Sequence, residues 1–155
     1  MPLVVTGMLN VDQMLLNVDM NTKKRITQKM WVKAVAIQQL AIRMAPIDEG
    51  NLEKAIKVRP EHPGRLRNEA GRFERQEIEV YIDMNMPVPG RPDKTVGDYA
   101  YIIHEHLTPF GPMNLGPLSR EKQSGAQVGG GFLTRAMEEL SAGVITDLAL
   151  DMFGD

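Results

Sequence analysis

Two apolar periods occur in this chain, and together they restrict its architecture more than any other feature. Val11, Met14, Leu15 and Val18 fall at i, i+3, i+4 and i+7, and the stripe continues through Ile26, Met30, Ile37, Leu40, Ala41 and Met44. That spacing predicts a long helix, with Asn10 or Asp12 as its cap and an end near Met44. From Glu77 to Met86 the period is two: Ile78, Val80, Ile82, Met84 and Met86 alternate with Glu79, Tyr81, Asp83 and Asn85. This predicts a strand with one covered face, and Leu52 to Arg59 reads as a second. Lys57 and Arg59 match Glu79 and Asp83 in charge, which favours an antiparallel pair. The apolar lead "PLVVTG" adds a candidate edge strand.

A last helix follows from the stripe Leu133, Ala136, Met137, Leu140, Val144, Leu148 and Met152, weakened slightly by Gly143. Its final turns carry Asp147, Asp151 and Asp155, the wrong sign for the negative end of a helix dipole, so either the end frays or a cationic surface meets it. Three punctuated stretches separate the periodic ones, at about 60–76, 87–98 and 107–131. Their proline and glycine content predicts extended loops, the last of them ordered chiefly by a partner. "YAYIIHEH", between two of them, reads as a short strand or a helical turn. A chain of 155 residues bounds the whole at one domain, 1–155.

The predicted long helix has a second apolar face in its later half, where Trp31, Val35 and Ile42 gather nearly opposite the first stripe. A lone helix on a small domain needs one such face. The other is expected to meet a second layer of the same domain or another subunit. Arg25, Lys29, Lys33 and Arg43 lie between the faces, as a solvated strip or one facing acids on a neighbour.

Composition excludes several classes. A net charge of −2 gives no global pull toward nucleic acid, and the absence of cysteine removes disulfides and thiolate metal sites. No run approaches the roughly 20 apolar residues that span a bilayer, and the first residues lack a secretory pattern, so synthesis in the cytoplasm is expected. Eleven methionines against one tryptophan indicate adaptable packing at cores and interfaces rather than a rigid aromatic pocket.

Three constellations invite a chemical reading. Asp48 and Glu49 are adjacent carboxylates, which diverge in most backbone conformations and have no matched partner nearby. In "MAPIDEGNLEKAI" they fit a corner instead. Pro46 disfavours helix at Ala45, Asp48 accepts a backbone N–H as in an Asx turn, Gly50 permits positive φ, and Leu52 and Ile56 return the chain to a core. "HEH" places His104 and His106 on one side of an extended chain, with Glu105 between and His62 elsewhere. A small metal-dependent hydrolase built on these groups is one alternative, yet zinc needs three or four converging ligands and no HExxH spacing is present. The arginines at 65, 67, 72 and 75 suit a nucleic-acid-binding module as a second alternative, although Glu61, Glu69, Glu74 and Glu77 are interleaved with them. "VGGGF" lacks the strand and the lysine or serine of a phosphate loop and reads as a hinge before the last helix.

The order of the parts resembles the neck or tail-completion proteins of tailed bacteriophages, a group that includes tail terminators of lambda-like phages. Ala45, Pro46, Asp48, Gly50, Leu52 and Ile56 match the group's corner after its first long helix. Tyr99, Ala100, His104 and Glu105 match its middle motif, and Phe132, Leu133 and Ala136 match the start of its final helix. Glu49 stands where threonine is usual and Ala55 where serine is common, and "HEH" with a long loop replaces a shorter "EFGT" form. The resemblance implies an α+β fold: a long N-terminal helix and a C-terminal helix packed on a small antiparallel β-sheet, with long loops. It also implies a structural virion protein without catalysis or cofactor, forming a homo-oligomeric ring at the head–tail junction. A hexamer is expected, with a dodecamer as the alternative. Its partners would be the adaptor or connector above and the tail tube protein below, with DNA passing through the channel without sequence-specific binding. The second apolar face at Trp31, Val35 and Ile42 would then form the contact between subunits.

Overall fold

Residues Met20–Met44 form a single helix, α1, whose 25 residues contain no proline or glycine and no acid. Its inner side, Ile26, Ala34, Ile37, Leu40, Ala41 and Met44, is buried as the helical period requires. The computed structural model describes residues 20–47, 50–61, 63–64, 69–71, 76–106, 117–122 and 128–153. The expected helix start at Asn10 or Asp12 and the "PLVVTG" lead lie outside the described residues.

After α1 come a short helix α2 (Asn51–Ala55) and the strands β1 (Ile56–Arg59), β2 (Glu79–Ile82), β3 (Pro87–Val88) and β4 (Arg91–Thr95). The helices α3 (Gly97–His106), α4 (Pro117–Lys122), α5 (Phe132–Ser141) and α6 (Val144–Phe153) complete the chain order. The fold is α+β, a long N-terminal helix and C-terminal helical segments with two small antiparallel sheets.

β1 and β2 pair antiparallel, with Ile56 opposite Ile82, Val58 opposite Val80 and Arg59 opposite Glu79. The alternation puts Ile56, Val58, Val80 and Ile82 on the α1 side, where Gln38 Nε2 donates to the Ile56 carbonyl at 2.8 Å. On the other side Lys57 Nζ meets Asp83 Oδ2 at 2.6 Å, Arg59 pairs with Glu79, and the Arg59 guanidinium lies 4.5 Å from the Tyr81 ring centroid. The expected charge match is therefore present, one pair diagonal and one directly opposite.

Three expectations are corrected and one open alternative is decided. The first strand begins at Ile56, not Leu52, because Leu52, Glu53, Lys54 and Ala55 are strong helix formers and the β-branched residues come only at Ile56 and Val58. The stretch 87–98 is not a plain loop but holds the β3–β4 hairpin, irregular between Pro87 and Val88. "YAYIIHEH" is helical as part of α3, and Asp98 accepts the Thr95 backbone N–H at 2.7 Å in the manner of a capping box. The last helix is two: α5 stops at Ser141 and α6 starts at Val144, with Gly143 at φ +85° between them. Only glycine takes that conformation without strain, so the residue read as a slight weakness is the break itself. Asp147 consequently sits in the first turn of α6, where an acid is favourable to the helix dipole.

α5 packs along α1, and the sheet lies on α1 beside it, so the three share one core. Phe132, Leu133 and Ala136 from α5 and Ala100 from α3 are fully buried in it. Gly97 opens α3 so close to the preceding chain that a Cβ there would lie 2.7 Å from the Met84 carbonyl oxygen. That close approach ties the hairpin to the start of α3, and Gly97 N–H donates to the same oxygen at 2.8 Å.

The Lys57 and Asp83 pair makes a pH prediction. The hydrogen bond to Lys57 holds the Asp83 carboxyl below its usual range, and the same bond raises Lys57. Asp83 therefore stabilises the fold above its unfolded value and loses that contribution as pH falls through the depressed one. Lys57 contributes below its unfolded value and loses it as pH rises through the raised one. The contribution is flat between roughly pH 4 and pH 10. Both groups are partly exposed, so Lys57→Met is expected to lower stability by no more than about 0.5 kcal/mol at neutral pH, and by less below pH 3. Urea titrations of both proteins at the two pH values check this.

Candidate assembly site at the helix corner

α1 ends where Pro46 follows Ala45, and the carbonyls of its last turn have no helical donors beyond. Two side chains from α4 act here, Lys122 on carbonyls at the helix end and Ser119 on Ile47 just beyond it. Lys122 Nζ donates to the carbonyl of Ile42, to that of Ala45 at 2.8 Å, and to the Glu53 carboxylate from α2. Ser119 Oγ accepts the Ile47 N–H at 2.7 Å and donates to the Ile47 carbonyl at 3.0 Å. An ammonium at the C-terminus of a helix also meets the negative end of its dipole. The corner is thus clipped from outside by residues some 70 or 80 positions further on.

Sequence reasoning missed both clip residues, which it placed in the third loop. The only signal was local: proline at the first position of "PLSREK", followed by residues that suit a short helix. Nothing in that stretch names its target.

Within the corner, Pro46 is buried, Gly50 takes φ +75° as the cap of α2, and Leu52 is 2% exposed. Asp48 and Glu49 lie outside the described residues. On the core side the triple glycine at 129–131 joins two helices. Gly129 N–H donates to the Met44 carbonyl at 3.0 Å and Gly131 N–H to the His104 carbonyl at 2.7 Å. Gly129 and Gly130 are buried, so the stretch read as a hinge is a clasp held from both sides.

The stretch with His104 is helical, so the extended geometry that would put residues two apart on one side does not hold there. His104 is 4% exposed, its Nδ1 is 2.8 Å from Glu105 Oε1, and its ring meets Phe132 edge-on at 5.0 Å. Glu105 is an acceptor, which assigns the proton to Nδ1 and leaves Nε2 buried without a partner. Among the described residues no three His, Asp or Glu side chains stand together as a metal site would need. His62 and the arginines at 65, 67, 72 and 75 lie outside the described residues.

On α1, Trp31, Val35 and Ile42 are each half-buried, and Ile42 packs against the core of its own chain. The most exposed apolar residue of α1 is Val32, at 53%. It stands on a separate strip, beside a groove of about 560 Å³ between α1 and α6. The helical period placed Trp31, Val35 and Ile42 on one face but did not reveal that Ile42 packs against the core of its own chain.

No helix among the described residues is long and apolar enough to cross a membrane. Comparison with protein-family models, with characterised proteins and with solved structures finds no match to this chain.

Proposed function

We propose that this chain is a structural virion protein that forms a ring at the head–tail junction of a tailed bacteriophage and joins the tail to the head around a DNA channel. One observation carries the reading. The three motif segments that resemble the neck and tail-completion group, far apart in sequence, meet in one core: Ala45 and Leu52 from the corner, Ala100 from α3, and Phe132, Leu133 and Ala136 from α5. The Met44 to Gly129 and His104 to Gly131 backbone bonds tie the same segments together. Residues with such a shared role are the ones a common fold would retain while loops diverge.

In this reading the subunit is a hexamer in the ring, with a dodecamer as the alternative, and its neighbours are the connector proteins and the tail tube. The half-buried strip at Trp31 and Val35 contributes to the contact between subunits. Val35→Glu is expected to leave the circular dichroism spectrum unchanged and to shift the ring toward smaller species in mass photometry. Electron microscopy of purified tails decides the function: a ring of this protein is expected at the head-proximal end, and tails made without the chain should fail to join heads. Tails that lack the protein yet join heads normally would sink the proposal.

A further inference from the structure

We propose that α4 is a strap over the helix corner that lifts as one unit while the core beneath it stays folded, uncovering the main-chain groups it now holds. The inference stands on the clip itself and does not depend on ring formation.

What ties a segment down decides how readily it leaves. Burial of apolar surface is costly to reverse, whereas polar bonds broken in water are exchanged for bonds to water at a small net loss. α4 has the second kind of attachment. Leu118, its one large apolar side chain, is 52% exposed, and among the described residues none from α4 belongs to the hydrophobic core. Ser119 is 1% exposed, and its hydroxyl serves the Ile47 N–H and carbonyl. Lys122 serves the carbonyls of Ile42 and Ala45 and the Glu53 carboxylate. A six-residue helix has no stability of its own, so α4 keeps its shape only while it is docked.

The core has separate fastenings on both sides of the strap. Before α4 in the chain, the His104 carbonyl accepts the Gly131 N–H at 2.7 Å, and after it the Gly129 N–H donates to the Met44 carbonyl at 3.0 Å. Val128 is 1% exposed and Phe132 0%, so the chain is already seated where it returns from α4. Met44, Ala45 and Leu52 hold the inner side of the corner as part of the hydrophobic core, to which α4 supplies nothing. Lifting α4 breaks none of these contacts.

Ser119 and Lys122 stand at i and i+3, neighbours on one side of α4, so withdrawing one from the corner withdraws the other. The strap is therefore a two-state element. Docked, it covers the corner; lifted, it leaves the carbonyls of Ile42, Ala45 and Ile47, the Ile47 N–H and the Glu53 carboxylate facing solvent together. Segments that open in this way lie at the low end of a protein's range of local stabilities.

Amide hydrogen exchange of the full chain, read by NMR over a series of low urea concentrations, tests the strap. The Ile47 N–H and the α4 amides are expected to exchange at rates that hardly change with urea, because lifting α4 exposes little surface. The Asp83 N–H, bonded to the Ala55 carbonyl, and the Gly131 N–H should instead speed up steeply with urea, as global unfolding does. Lys122→Met leaves the Ser119 bonds in place, yet is expected to speed Ile47 exchange by roughly thirtyfold or more, since the strap opens as a whole. Lys122→Gln is the milder substitution should Lys122→Met fold poorly. Ile47 rates that climb with urea as steeply as those of Asp83 would overturn the inference, because α4 would then leave only with the whole fold. An Ile47 rate unchanged by loss of Lys122, or a Gly131 N–H that exchanges together with Ile47, would overturn it equally.

Discussion

Phe132→Ala is expected to destabilise the fold by about 3–5 kcal/mol, the largest single-residue effect in the described core. The side chain is 0% exposed, and it stands where the start of α5 meets α3 and the end of α1. Truncation removes the buried ring and leaves a cavity whose walls are helices already fixed by the Gly129 and Gly131 hydrogen bonds, so little collapse can offset it. It also removes the ring that stands against His104, whose Nε2 already lacks a partner. Phe132→Leu keeps most of the volume and is expected to cost about 1–1.5 kcal/mol. Urea denaturation at unchanged m-value measures both. A loss for Phe132→Ala near 1 kcal/mol would show that the α3, α5 and α1 junction is not the keystone described.

Lys122→Met is expected to cost about 2–4 kcal/mol. The substitution keeps the aliphatic stem but leaves the Glu53 carboxylate, 24% exposed, and the carbonyls of Ile42 and Ala45 without their donor. Each unsatisfied buried group costs about 1–3 kcal/mol, reduced where water can reach it. Ser119→Ala breaks the second half of the clip and should cost about 1 kcal/mol, since one hydroxyl serves both Ile47 groups. Because Ser119 and Lys122 hold the same corner, the double variant should depart from the sum of the single losses. If Lys122→Met shifts stability by no more than an ordinary surface change, about 0.5 kcal/mol, the clip is not a structural element of the corner.

The two predictions concern residues that differ in how legible they were. Phe132 directly precedes the stripe that opens at Leu133 and is marked by the resemblance at the start of the final helix, so the sequence draws attention to it. Lys122 carries no such mark. Its role depends on α4 folding back over the end of α1, and no local pattern in "PLSREK" encodes that distance. The same contrast appears at His104. An extended reading put it beside His106 as a ligand pair, whereas the stretch is helical and His104 is buried. For a short apolar run, period alone does not separate helix from strand, and here the capping contact of Asp98 with Thr95 and the glycine at 97 favour helix.

The sequence by itself determined the α1 stripe, the alternation of β2, the cross-strand charges and the positive φ at Gly50, because each is written in spacing or backbone chemistry within a few residues. Only the tertiary structure decided that the C-terminal stripe is two helices, that the triple glycine is a clasp, that Ser119 and Lys122 secure the corner, and that Val32, not Trp31, is the most open apolar residue of α1. These depend on which surfaces are brought together and which are left uncovered. A period of 3.6 specifies that a helix has a face, but burial of that face is set by neighbours that arrive from elsewhere in the chain.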